Sequence, residues 1–124
     1  MRIRIKWASN ELSATLKDSP TSQKLMEVLP CSSKANLWGK EVYFSIPVSA
    51  ELEPDARQVV PPGTVCFWVE GSSLAIPYGP TPVSVGDECR LVTEVNILGQ
   101  VDGDPRLLES VKSGENITVE LIFE

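Results

Sequence analysis

Residues Cys66–Pro82, CFWVEGSSLAIPYGPTP, decide how this chain is read. Two apolar runs, Val65–Val69 and Leu74–Ile76, are joined by Glu70-Gly71-Ser72-Ser73, which predicts a β-hairpin. Its second arm runs into Tyr78-Gly79-Pro80-Thr81-Pro82, too rich in proline to continue a hydrogen-bonded ladder, so a rigid loop carrying an aromatic follows. Within Thr64–Glu70 the period of two puts Val65, Phe67 and Val69 on one face and Cys66, Trp68 and Glu70 on the other. A tryptophan turned away from the principal apolar face is the first pointer to a pocket.

The segment before it repeats the pattern. Ser32–Leu37 and Glu41–Val48 flank Trp38-Gly39-Lys40, a glycine turn that predicts a second hairpin. Val42, Phe44 and Ile46 share the core face, leaving Glu41, Tyr43 and Ser45 on the opposite one. Tyr43 beside Glu41 is either an exposed cross-strand pair or another pocket wall. Trp38 reads as a packing lid. Val48–Gly63 has the composition of a long acidic loop, with Pro54, Pro61 and Pro62, and Arg57 as its only basic residue; loops of that length are often functional.

Working outward, Ile3, Ile5 and Trp7 alternate along Met1–Ala8, and Leu12, Ala14 and Leu16 alternate beyond a short turn, giving an opening hairpin. Asp18-Ser19-Pro20 starts a helix, with Ser19 as cap and Pro20 in the first position; Leu25, Met26, Val28 and Leu29 supply its apolar stripe before Pro30 ends it. Val83–Arg90 is polar and irregular. Leu91–Val101 is a strand in which Gly99 marks a bulge or bend, and Asn96 is a backbone-bonded structural residue or a pocket residue. Asp104-Pro105 repeats the capping device ahead of Leu107, Leu108 and Val111, with Gly114 just past that helix. Asn116–Glu124 alternates again, turning Ile117, Val119, Leu121 and Phe123 inward; its Asn116-Ile117-Thr118 is a chance glycosylation match.

Strands at both ends, about eight in total with two short α-helices, describe a mainly β chain closed into a barrel. The 124 residues suffice for a single domain over 1–124, and ten prolines and eight glycines punctuate it into short pieces. The net charge of −6 argues against a nucleic-acid partner. No apolar run approaches a membrane span and no secretory signal opens the chain, so the expected address is the cytoplasm. The three cysteines, Cys31, Cys66 and Cys89, are widely spaced and read as small apolar side chains. With no histidine, the commonest general base and the usual zinc ligand are missing, and neither a metal nor a cofactor is expected.

The hairpin Asn36–Pro47 (NLWGKEVYFSIP), then Trp68, Tyr78–Pro82 (YGPTP) and Val95–Gly99 (VNILG), resembles the cyclophilin barrel, and more narrowly the small prokaryotic cyclophilin-like proteins. The resemblance implies a closed eight-stranded β-barrel capped by two short α-helices. In cyclophilins it further implies an outer-face apolar pocket for a proline ring, beside an arginine that assists rotation about the preceding peptide bond. That rotation has a barrier of about 18–20 kcal/mol and needs no cofactor. Here the arm that should carry the arginine reads Ser32-Ser33-Lys34-Ala35-Asn36-Leu37. Lys34 lacks the planar donor fork, which leaves Arg57 as the only catalytic candidate.

Three functions compete on these residues. The first is a noncatalytic module binding a peptide or small molecule through Glu41, Tyr43, Trp68, Tyr78 and Asn96. The second is a peptidyl-prolyl isomerase using Arg57. The third is a structural or interaction subunit in which Trp68 and Tyr78 simply pack.

Overall fold

A computed structural model describes residues 1–123. The opening alternation forms a hairpin, β1 (Arg2–Trp7) against β2 (Asn10–Leu16), with Ile3 opposite Ala14 and Ile5 opposite Leu12. β10 (Asn116–Leu121) pairs with the other edge of β1, so both ends of the chain lie in one wall. The opposite wall holds β7 (Thr64–Trp68), β8 (Ser73–Pro77) and β5 (Glu41–Ser45) in that order. The long β9 (Cys89–Val101) joins the walls, pairing with β2 through residues 99–101 and with β7 through 96–100.

Closure depends on Ala35. The sheet runs from β3 (Cys31–Lys34) at one end to β4 (Asn36–Leu37) at the other, and only Ala35 separates these two in the chain. They are halves of one bent strand, the first paired with β10 and the second with β5. Ala35 is buried, donates to Glu115 O and accepts from Gly114 N, each at 2.8 Å. Counting that strand once gives the eight-strand circuit. A further strand, β6 (Arg57–Val60), lies off the circuit and pairs with the first half of β9.

The inward residues of every strand fill one core, including Ile3, Ile5, Trp7, Phe44, Phe67, Leu74, Ile76 and Leu98. Each such side chain contributes about 1.5–3 kcal/mol by leaving water. Gly99 sits where β9 crosses β2: a Cβ there would lie 2.0 Å from Thr15 O. The β7–β9 register shifts between Val65 and Cys66, so Gly99 does sit at a bulge.

Four expectations need correction. The second helix is a 3₁₀ segment, Pro105–Ser110, rather than an α-helix. Asp104 Oδ1 caps it by accepting from Arg106 N, but six residues end before an α-helical ladder is established, and Gly114 (φ +83°) belongs to the later turn into β10. Met26 is 40% exposed; α1 (Pro20–Val28) buries Thr21, Ser22 and Leu25, because its first turn docks onto a polar network. The expected loop over 48–63 contains β6. Phe123 is 90% exposed, since β10 ends at Leu121, and Glu124 lies outside the described residues. No helix among the described residues is long and apolar enough to cross a membrane.

Candidate functional site

Strand alternation that fills the barrel on one side must display something on the other. On the outer face of β5, β8 and β7 it displays Glu41 and Tyr43, Ala75, then Cys66 and Trp68, with Tyr43 and Cys66 both opposite Ala75. β6 and the first half of β9 fold over this face and enclose a second apolar cluster of Val60, Cys66, Ala75, Cys89, Leu91 and Val95. Val59 lies opposite Arg90 and Arg57 opposite Val95, so β9 has three more residues than β6 across this stretch. The surplus forms a bulge pinned by Gln58 Nε2, which donates to Leu91 O at 2.9 Å.

Beneath that bulge is a cavity of about 190 Å³, lined by Trp38, Tyr43, Trp68 and Ala75 and by Leu91, Val92 and Val95 of β9, with Glu41 as its one ionisable carboxyl. Tyr43 and Trp68 meet edge to face, centroids 6.2 Å apart and planes at 86°. Both tryptophans are held. Trp68 Nε1 donates to Thr93 Oγ1 at 3.1 Å, and Thr93 in turn donates to Glu70 Oε2 at 3.1 Å. The Trp68 ring lies over Gly71, where a Cβ would come within 2.1 Å of ring carbon Cε3. Trp38 rides on a turn that Gly39 makes at φ +59°, with its missing Cβ facing Thr81 Cα at 2.9 Å. Lys40 N donates to Pro80 O at 2.9 Å and Tyr78 N to Lys40 O at 2.8 Å, so the Tyr78–Pro82 loop serves as the platform for that turn.

Glu41 is the anomaly. The residue is only 5% exposed, and among the described residues nothing hydrogen-bonds its Oε1. Its neighbour across the ladder is Pro77, which has no N–H to offer. Burial pushes the carboxyl from 4.5 up to about 7. Nearby, burial raises the thiols of Cys66 and Cys89, with the Glu41 charge adding to both. All three cysteines are free. Among the described residues, no group of three or more His, Cys, Asp or Glu side chains could hold a metal ion.

The structure therefore brings together Glu41, Tyr43 and Trp68 of the residues singled out in the sequence, and places the others elsewhere. Tyr78 packs against the main core and its hydroxyl is pushed up by burial, so it supports the pocket turn without lining the cavity. Asn96 is completely buried behind β9: its Oδ1 accepts from Glu53 N (2.8 Å), and its Nδ2 donates to Glu51 O (2.9 Å) and Thr21 Oγ1 (3.0 Å). It is the structural residue of the two readings, tying the long loop to α1. Arg57 is exposed on β6 and lines a separate groove with Lys17, Pro61 and Gln100. Sequence reasoning missed Trp38, Leu91, Val92 and Val95 as lining residues. The available signal was Arg57-Gln58-Val59-Val60, whose paired valines mark a short strand within loop-like composition.

The cyclophilin-like family matches residues 1–120 of the chain. Among solved structures, the chain is similar to the solution structure of hypothetical protein AF2241 from Archaeoglobus fulgidus. The TM-score is 0.82 and the identity 34%, over 97% of this chain and 93% of that one. Among curated proteins none matches.

Proposed function

The chain belongs to the cyclophilin-like family, and on that premise we propose that its outer-face cavity is a noncatalytic binding site for a small molecule or a peptide side chain. The observation that carries this reading is the Glu41 carboxyl, buried and unpartnered at Oε1 among Trp38, Tyr43 and Trp68. Such a group costs the fold stability and does nothing for packing. An apolar cavity with one convergent polar group is the usual constitution of a ligand site. The lining residues include no arginine to assist a twisted amide, so the geometry favours binding over isomerisation.

The test is chemical-shift mapping of backbone amides with two probes, Ala-Ala-Pro-Ala peptide and 3,3-dimethyl-1-butanol. Saturable shifts are expected at Glu41–Ser45 and Leu91–Val95, and Trp68→Ala and Tyr43→Ala should each weaken them. Shifts that survive both substitutions unchanged would place binding elsewhere and refute the proposal.

A further inference from the structure

The cavity's chemistry is one-signed. Its walls include three aromatic rings, whose faces carry negative quadrupole potential, and its one acidic side chain is a carboxyl. The perpendicular Tyr43 and Trp68 rings form a corner, and Trp38 adds a third aromatic wall. No lysine or arginine lines it, and the one indole N–H whose partner is known, that of Trp68, is already spent on Thr93. The chain as a whole carries a net charge of −6. No cationic side chain lines the cavity to hold an anion, and a purely apolar ligand would leave Glu41 Oε1 as unsatisfied as it is now.

We infer that this cavity takes an organic cation, an alkylated ammonium group seated against Trp38, Tyr43 and Trp68 with the Glu41 carboxylate as counter-ion, an assignment that rests on the binding-site reading above. Alkylation suits the site on two counts. Methyl groups fill apolar volume beside Leu91, Val92 and Val95, and a weakly hydrated cation sheds its water at small cost while the rings attract its charge.

Binding is linked to protons. In the empty cavity Glu41 holds its proton up to a pH of about 7, so a cation that requires the carboxylate releases that proton to solvent below this pH. Beside Glu41, the thiols of Cys66 on β7 and Cys89 on β9 are held neutral by burial, Tyr43 shares β5 with it, and the nearby charges are Arg57 on β6, which acts on Cys66, and Asp87, which acts on Cys89.

The experiment compares choline with 3,3-dimethyl-1-butanol, which has the same shape without the charge, by amide shift mapping on the wild-type chain and on Glu41→Gln. Choline is expected to bind at the pocket amides about tenfold tighter than the alcohol at pH 8. Its affinity should fall about tenfold between pH 8 and pH 6, while that of the alcohol does not. Glu41→Gln, checked as folded by its own amide spectrum, should narrow the gap between the two probes to what the rings alone supply and remove the pH dependence. If the alcohol binds as tightly as choline in the wild type, the cation assignment is overturned and the pocket reading stands. If neither probe shifts the pocket amides, both fall.

Discussion

Replacing Glu41 by glutamine tests the central electrostatic claim without any ligand. The carboxyl titrates at about 7 in the folded chain against an ordinary 4.5, the cause being burial. Below pH 4.5 it is neutral in both folded and unfolded chains, so it imposes no ionisation penalty. As the pH rises through 4.5 the unfolded carboxyl ionises while the folded one stays protonated, and stability is lost steadily until the folded group also ionises near 7. Each tenfold difference in proton affinity is worth about 1.4 kcal/mol, so the loss attributable to Glu41 between pH 5 and pH 8 is about 2–3 kcal/mol. For a domain of this size the loss corresponds to about 10 °C in Tm. Glu41→Gln keeps the shape and removes the titration. Urea unfolding of both chains at pH 5, 6, 7 and 8, followed by far-UV circular dichroism, should show the variant gaining on the wild type by about 2–3 kcal/mol across the range. Groups common to both chains cancel in the difference. A difference constant to within about 0.5 kcal/mol would mean that Glu41 is solvated, and the reasoning built on its burial would fail.

Three further outcomes follow from the same geometry. Gly71→Ala puts a methyl group against the Trp68 ring, where 2.1 Å is available; it should displace the indole, shift tryptophan emission and cost about 1–3 kcal/mol. An unchanged emission spectrum and Tm would show that the ring does not lie there. Asn96→Ala removes three hydrogen bonds at a fully buried position and should cost about 2–4 kcal/mol, with amide exchange at Glu53 accelerating more than exchange in β1. Equal acceleration at the two places would argue against a local tie. In a protease-coupled assay on a proline-containing peptide, no acceleration of cis-to-trans relaxation is expected, because Arg57 lines a groove apart from the pocket. Acceleration abolished by Arg57→Ala would restore the isomerase reading.

What the sequence determined by itself is which residues lie on which face. A strand has a period of two whatever its surroundings, so Val42 and Phe44 had to oppose Glu41 and Tyr43, and Val65 and Phe67 had to oppose Cys66 and Trp68. The Ser19 cap was equally legible, because its partner, Ser22 N, is three residues away. Chain order and local chemistry carried the barrel a long way, including the bulge at Gly99.

Where the outer faces meet, and what covers them, only the tertiary structure decided. The pocket needs Trp38 from a turn, Trp68 from β7 and Leu91, Val92 and Val95 from β9, and these are brought together by pairings between strands distant in the chain. The same is true of the residues that proved structural. Asn96 and Tyr78 have the side chains a pocket would use, but the β7–β9 register turns Asn96 toward α1, and the proline loop turns Tyr78 onto the core. Glu41 shows the division most plainly: its outward face follows from alternation, whereas its burial follows from the strands that fold over it. A period of two is a property of the local backbone, while solvent exclusion depends on every segment that packs nearby.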